Sequence, residues 1–243
     1  MELSRRLQTL ADMVTPGNRV ADIGCDHGFV SIYLYEQHIA PKVYAMDVRK
    51  GPLCRAREHI EIHGLTDYIE TRLSDGLTAL ETDEADAVVC AGMGGRLMAR
   101  ILLDGLSKVG RMRELILQPQ SELAYFRRFL REHRLVIAEE RFIKEEGKFY
   151  PMMRVLPHGD EALYPLFDGN GLFGEKEAER VSDTFGALLL WQKHPLLQEY
   201  LTLLLNRNKG ILSSLPSCGQ EGRRAELEKE LSDIEKCLLW FVV

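Results

Sequence analysis

The 243-residue sequence predicts an α/β fold, a seven-stranded and mostly parallel sheet covered by helices, followed by a C-terminal helical domain. Three observations carry this expectation. Short apolar runs alternate with stretches of helical periodicity through the first two thirds of the chain, the pattern of strands joined by crossover helices. The last two of these runs are separated only by residues 144–147, too few for a right-handed parallel crossover, so they must form an antiparallel hairpin turning near Gly147. Beyond a turn-rich connector, apolar residues recur every three and four positions, as on packed helices.

The strands are expected at 19–24, 42–47, 69–73, 87–91, 114–118, 135–142 and 148–156, where β-branched and aliphatic residues are bounded by Gly, Asp or Pro. Helices fit between them at 30–38, 52–63, 96–106 and 122–133, with apolar spacings of three and four. The connector at 165–174 contains Asp168, Gly169, Asn170 and Gly171. After it, Leu197, Leu201, Leu204, Asn208, Ile211 and Leu215 step by four and three, as do Leu227, Leu231, Ile234 and Leu238 beyond a turn at 217–222. This reads as an antiparallel, coiled-coil-like helical hairpin with Asn208 fixing register at the seam, and an interaction role is expected for it. The expected domains are 1–160 and 161–243.

Composition narrows the function classes. With 45% hydrophobic and 28% charged residues the chain is globular rather than disordered. No apolar run reaches the roughly 18 residues that span a bilayer, so no membrane partner is expected. The first 13 residues carry Glu2, Arg5, Arg6 and Asp12 and lack the apolar stretch of a secretory signal, so a cytoplasmic location is expected. The five cysteines, Cys25, Cys54, Cys90, Cys218 and Cys237, are scattered and never form a CxxC pair, which argues against a disulfide framework or a metal site. The net charge of −6 weakly disfavours nucleic acid, yet 96–154 holds 13 Lys/Arg against 8 Asp/Glu. That window is either a solvated helix face or a phosphate-tracking surface. Within it Arg127, Arg128 and Arg131 fall at helical spacing and are the natural phosphate contacts.

The strongest chemical signal is Asp22-Ile23-Gly24-Cys25-Asp26-His27-Gly28, a DxGxDxG run between the first strand and its helix. Glycines in such a turn let a ligand approach the backbone, and the helix N-terminus offers unpaired amides. A dinucleotide fingerprint would place glycine where Asp26 stands, and two carboxylates repel a pyrophosphate. They attract an ammonium or sulfonium group instead, which is what the amino-acid end of S-adenosylmethionine (SAM) presents. Asp47, 19 residues after Gly28, ends the second strand and can take both hydroxyls of a ribose. Asp75 and Gly76 follow the third strand, where the carboxylate can accept from an adenine amino group and the amide can reach a ring nitrogen. A lone acid in such a turn is as readily a helix cap; four acids at the carboxyl ends of parallel strands favour a ligand site.

The fourth strand runs into Cys90-Ala91-Gly92-Met93-Gly94-Gly95, a turn expected to face the transferred methyl group with room for a flat acceptor. Cys90 lacks the context of a covalent nucleophile and reads as a buried thiol. Gln118 and Gln120 can donate and accept along the edge of a base, although loop glutamines are commonly solvated. Phe149 and Tyr150 on the hairpin can stack on an extruded base, although strand aromatics are more often core.

These motifs resemble the bacterial tRNA adenine N1-methyltransferases that modify position 22 (TrmK). The resemblance rests on Leu3-Ser4-Arg5-Arg6-Leu7, Ala21-Asp22-Ile23-Gly24-Cys25-Asp26-His27-Gly28, Ser74-Asp75-Gly76-Leu77, Ala91-Gly92-Met93-Gly94-Gly95, Gln118-Pro119 and Gly147-Lys148-Phe149-Tyr150, and on the helical tail. The departures are Cys25, Gly28-Phe29, Gln120 and Pro151, where the family pattern has Ser, Ala-Tyr, Asn and an acid. The resemblance implies a Rossmann-like class I SAM-dependent methyltransferase domain with a coiled-coil domain, SAM as cofactor, tRNA as partner and no metal. On this reading Asp22, Gly24, Asp26, His27, Gly28, Asp47, Val48, Asp75, Gly76, Ala91 and Gly92 hold the cofactor. Asp26, Gly92, Met93, Gln118 and Tyr150 then stand at the reacting groups, with Gln120 also on the acceptor. The alternatives are a SAM-dependent methyltransferase acting on another RNA, a small molecule or a protein, and a non-catalytic interaction protein; the oligomeric state is left open, a monomer among the options.

Overall fold

A computed structural model of the protein describes residues 3–159, 166–216 and 220–242. Its first part runs α1 (Arg5–Ala11), β1 (Val20–Ile23), α2 (Phe29–Glu36), β2 (Val43–Asp47), α3 (Lys50–Ile62), β3 (Ile69–Leu73), β4 (Ala87–Gly94), α4 (Gly95–Asp104), α5 (Leu106–Val109), β5 (Glu114–Ser121), α6 (Leu123–Glu132), β6 (Val136–Glu145) and β7 (Lys148–Leu156). It continues with α7 (Glu175–Phe185), α8 (Ala187–Trp191), α9 (Pro195–Ser214) and α10 (Glu221–Val242). The chain divides into two compact units, Met1–Tyr164 and Pro165–Val243.

The sheet has the order β3-β2-β1-β4-β5-β7-β6. The pairs from β3 through β5 are parallel, and β7 runs antiparallel between β5 and β6. The reversal is made at Glu146 and Gly147, with φ of 47° and 75°. Two successive positive φ values form the tight turn whose twist matches a hairpin, and a glycine in the second place removes most of its strain. β6 therefore runs to Glu145, three residues past the end read from the sequence, because ladder pairing continues up to the turn.

Strand side chains alternate between two faces. Val20, Val43, Ala45, Ala87, Val89 and Ile116 share a core with Leu10 and Ala11 of α1, Ile32 and Leu34 of α2, and Leu53, Ala56 and Ile60 of α3. The intervening Val88, Leu115 and Leu117 are also buried, as are Met98 and Leu102 of α4 and Phe126 and Leu130 of α6. With both faces covered, every strand end near β1 belongs to a rigid scaffold, and loops there can be placed accurately.

One expected turn is instead strand. Ala91–Gly94 continues β4 alongside β5, with register shifts between Ala91 and Met93 and between Met93 and Gly94, and Gly92 adopts φ 77°. The irregular register bends the strand end without releasing it from the sheet.

In the second unit the stripe residues Leu197, Leu201 and Asn208 of α9 and Leu227, Leu231 and Ile234 of α10 are buried, whereas Leu204, Ile211, Leu215 and Leu238 are only half-buried and Cys237 takes the buried place next to Leu238. Asn208 Nδ2 donates to Glu230 Oε2 at 3.1 Å, so the buried polar seam position has a specific partner on the facing helix. Part of the turn expected at 217–222 lies outside the described residues, and Glu221 and Gly222 already belong to α10. Phe167, Trp191 and Trp240 meet edge to face, with centroids 4.9 to 5.5 Å apart. Among the described residues no helix is long and apolar enough to cross a membrane.

Candidate active site

At the carboxyl end of β1 the chain turns sharply into α2, and backbone hydrogen bonds fix that turn. The Gly24 and Cys25 amides both donate to Met46 O, at 2.8 and 3.0 Å, tying the loop to β2. The Gly28 amide donates to Cys25 O at 2.7 Å, and Gly28 starts the helix with φ 73°. Gly24 has φ 76°, a conformation that favours glycine, and an added Cβ would overlap Cε at the far end of the Met93 side chain.

This turn forms one wall of a cleft of about 610 Å³. Asp22, Asp26, Asp47 and Asp75 line it, as do Gly24, His27, Val48, Gly76, Ala91, Gly92 and Met93. The strand ends are ordered across the sheet, so Asp75 beyond β3, Asp47 on β2, Asp22 on β1 and Ala91 on β4 follow one another along the edge. Gly28 stands behind the lining, packed on α3, where an added Cβ would meet Ala56 Cβ at 3.2 Å.

The carboxylates differ in environment. Asp22 is buried and accepts from Ser31 Oγ at 2.7 Å. Its pKa is raised from 3.8 to about 6, by burial first of all, with the Ser31 hydrogen bond pulling it down and the Asp47 charge adding to the rise. Asp47 is also buried, and its Oδ1 accepts from the Arg49 amide at 2.8 Å. Asp26 is exposed, 3.4 Å from Arg55 Nη2, and Asp75 accepts from Arg100 Nη2 at 3.0 Å. Burial, and behind it the nearby Asp22 carboxylate, pushes the Cys90 thiol up to about 12; its sulfur lies 3.7 Å from Met93 Sδ, an inert packing position.

The donor set fits the amino-acid and nucleoside ends of SAM. Two buried carboxylates, Asp22 and Asp47, line the cleft and can accept hydrogen bonds from a cation or a ribose. His27 Nδ1 on the same wall is buried and, among the described residues, has no hydrogen-bond partner.

Residues 3–153 match the family described as "Methyltransferase domain". The chain is 32% identical over 233 residues to the tRNA (adenine(22)-N(1))-methyltransferase of Bacillus subtilis, covering 96% of this chain and 94% of that protein. The chain belongs to the tRNA (adenine(22)-N(1))-methyltransferase family. The solved structure of the B. subtilis M1A22 tRNA methyltransferase TrmK superposes with a TM-score of 0.84 at 30% identity, covering 98% of this chain and 99% of that one. Sp1610 of Streptococcus pneumoniae, solved in complex with S-adenosyl-L-methionine, superposes with a TM-score of 0.82 at 29% identity, covering 98% and 100% of the two chains.

Within this methyltransferase scaffold, two residues expected at the acceptor stand outside the cleft lining. Gln118 is fully buried; its Nε2 donates to Pro119 O at 3.2 Å and its Oε1 accepts from Arg6 Nη1 at 2.9 Å. Tyr150 is half-buried with its ring 5.4 Å from the Arg6 guanidinium carbon. Phe149 stacks on Phe142, with centroids 5.6 Å apart. Gln120 does line the cleft. Arg6 lines it too, and sequence reasoning gave it no place at the site. Its signal was Ser4 ahead of Leu7 and Leu10: Ser4 caps α1, accepting from the Leu7 amide at 3.4 Å, and that short helix delivers Arg6.

The basic window also needs one correction. Arg127 is not a phosphate contact, because it is buried against Glu140 of β6. Arg128 remains exposed and lines a separate groove of about 300 Å³ between α4 and α6, together with Arg96, Arg100 and Tyr125.

Proposed function

We infer that the protein transfers a methyl group from SAM to N1 of adenine 22 in tRNA. The observation that carries this reading is the row of carboxylates along one sheet edge in a chain that matches its B. subtilis relative across 96% of its length. When bound, SAM supplies an electrophilic methyl group on a sulfonium. Asp22 and Asp26 hold the positive amino-acid end, Asp47 takes the ribose hydroxyls, and Asp75 with the Gly76 amide takes the adenine edge. Gly92 and Met93 border the space where donor and acceptor meet, and Gln120 reaches the acceptor.

Adenine N1 already carries a lone pair, so the residues around it need to align rather than to deprotonate. A C–N bond forms as the C–S bond breaks, and the positive charge passes from sulfur to the base. Asp26, exposed at the cleft wall, stabilises that charge where it appears. The adenine must leave its stack to reach the cleft, at a cost of a few kcal/mol. The helical unit Pro165–Val243 helps to hold the tRNA, and a tRNA substrate is in keeping with a cytoplasmic location.

Nucleoside analysis of tRNA incubated with the protein and SAM tests this reading. The expected product is 1-methyladenosine at position 22. Failure of a SAM-binding preparation to methylate any tRNA overturns it.

A further inference from the structure

The glycine-rich end of β4 is fastened by a side chain from outside its own strand. Gly94 and Gly95 lead directly into α4, and a glycine at the cap offers no side chain to the first amides of the helix. The Arg96 amide is one of those orphan donors, and Glu122 Oε2 accepts from it at 3.1 Å. Oε1 of the same carboxylate accepts from Arg96 Nε at 2.6 Å. A negative charge placed there also meets the positive end of the helix dipole. The backbones close the same contact, since a Cβ added to Gly95 would stand 2.9 Å from Ser121 O and 3.0 Å from Glu122 O. Glu122 reaches this place with φ 57°, a left-handed conformation that is costly for a residue with a side chain. Its carbonyl accepts the Phe126 amide at 3.0 Å, so α6 starts from the same residue.

What is fastened borders the cleft. Ala91, Gly92 and Met93 line it from β4, Gln120 from β5 and Leu97 from the first turn of α4. A Cβ on Gly92 would meet Gln120 Nε2 at 3.6 Å, so the two strand ends face each other closely there. Past Ala91 the pairing with β5 shifts register twice, which leaves this segment less firmly held by the ladder than the strand before it. Glu122, two residues beyond Gln120, ties it to α4 and α6. The second turn of α4 has its own anchors, since Met98 and Leu102 are buried.

We propose that Glu122 is a positioning residue for methyl transfer, its carboxylate on the Arg96 amide holding Gly92, Met93 and Leu97 at the spacing from Gln120 that sets acceptor against donor. Glu122 itself stands outside the cleft lining and acts through these residues. The proposal rests on the cleft being the site of methyl transfer to tRNA.

The test combines single-turnover methyl transfer at saturating SAM and tRNA, calorimetry with SAM and amide hydrogen exchange, all on the full-length protein. Glu122→Gly suits the positive φ while removing the carboxylate, and Glu122→Asn tolerates that φ but is one methylene too short for the Arg96 amide. Either variant should slow transfer by roughly 10- to 100-fold, the scale of a misplacement of about 1 Å at the reacting atoms, with little change in SAM affinity. Exchange of the amides of residues 94–97 should become faster. Glu122→Gln still offers an oxygen to the Arg96 amide and should keep most of the rate. A purely structural role would lower the unfolding temperature and leave the saturated rate of the folded variant unchanged. A folded glycine or asparagine variant with the wild-type rate therefore overturns the proposal, as does a glutamine variant as slow as the glycine one. Loss of SAM affinity in place of the rate also overturns it. A wild type that binds SAM and methylates no tRNA overturns the acceptor reading instead. Hydrogen exchange then decides the clamp alone, and unchanged exchange at residues 94–97 in Glu122→Gly overturns it.

Discussion

Arg127 and Glu140 form an ion pair sealed inside the first unit, Nε to Oε1 at 2.9 Å, with side chains 1% and 0% exposed. The pair joins α6 to β6, the helix to the outermost strand of the sheet. Both charges have left water, so each helps to offset the burial of the other, and removing one leaves a buried charge less well compensated. Arg127→Ala should therefore destabilise the fold by about 3 to 5 kcal/mol, the usual cost of breaking a buried pair. Urea unfolding measures it. A loss below about 1 kcal/mol, the scale of a surface pair, would show that the pair contributes little.

The same residue shows where sequence reasoning stops. Arg127, Arg128 and Arg131 lie at helical spacing, and nothing local distinguishes a solvated arginine from one that meets a carboxylate on a strand formed later in the chain. The strand pattern was legible because a parallel sheet buried on both faces needs short apolar runs at every position. The acids at the strand ends were legible because the topology brings those ends together. α1 was not, since seven residues with Leu7, Leu10 and Ala11 give too short a window for a period to show. The continuation of β4 through Gly92 to Gly94 was hidden because glycines read as a turn, whereas pairing with β5 holds them as an irregular strand end.

Asp22 ties stability to pH, and its proposed contact with the cofactor should tie SAM affinity to pH as well. Burial, with the Asp47 charge behind it, raises its pKa from 3.8 to about 6 against the pull of Ser31. A carboxylate raised on folding favours the native state while protonated, so its contribution is fully present below pH 3.8 and is lost as pH rises through about 6. At neutral pH the ionised group costs the fold on the order of 3 kcal/mol, since each tenfold change in proton affinity between the unfolded and folded chain is worth ~1.36 kcal/mol. Asp22→Asn should accordingly raise the unfolding temperature at pH 7 to 8. SAM affinity of the wild type should fall as pH drops below about 6, because the cation needs the ionised form. A pH-independent SAM affinity between pH 5 and 8 would remove Asp22 from cofactor binding.

Asp47 is buried at the end of β2 with one oxygen engaged by the Arg49 amide at 2.8 Å. Among the described residues no hydrogen bond engages the other oxygen, which can accept from a ribose. Asp47→Ala should weaken SAM binding by roughly 1.5 to 3 kcal/mol, the range for hydrogen bonds to a charged group. Calorimetry on the folded variant decides this, and unchanged affinity would place the cofactor elsewhere in the cleft.

The groove between α4 and α6 is where the exposed Arg96 and Arg128 of the basic window could meet phosphates. Arg96 lies over the Tyr125 ring at 4.5 Å and pairs with Glu122 at 2.6 Å on the surface, and Arg128 is exposed on the same groove. α4 begins at Gly95, directly after the glycine-rich end of β4, so RNA on this groove would run toward the cleft. Exposed arginines of this kind contribute little to folding, and their replacement leaves the core intact. Changing Arg96 and Arg128 together to Glu should weaken tRNA binding, and loss of two phosphate contacts should flatten the slope of log affinity against log salt by roughly 0.9 for each. SAM affinity should not change, since neither side chain lines the cofactor cleft. A folded double variant with an unaltered salt slope would show that the tRNA passes over another face of the protein.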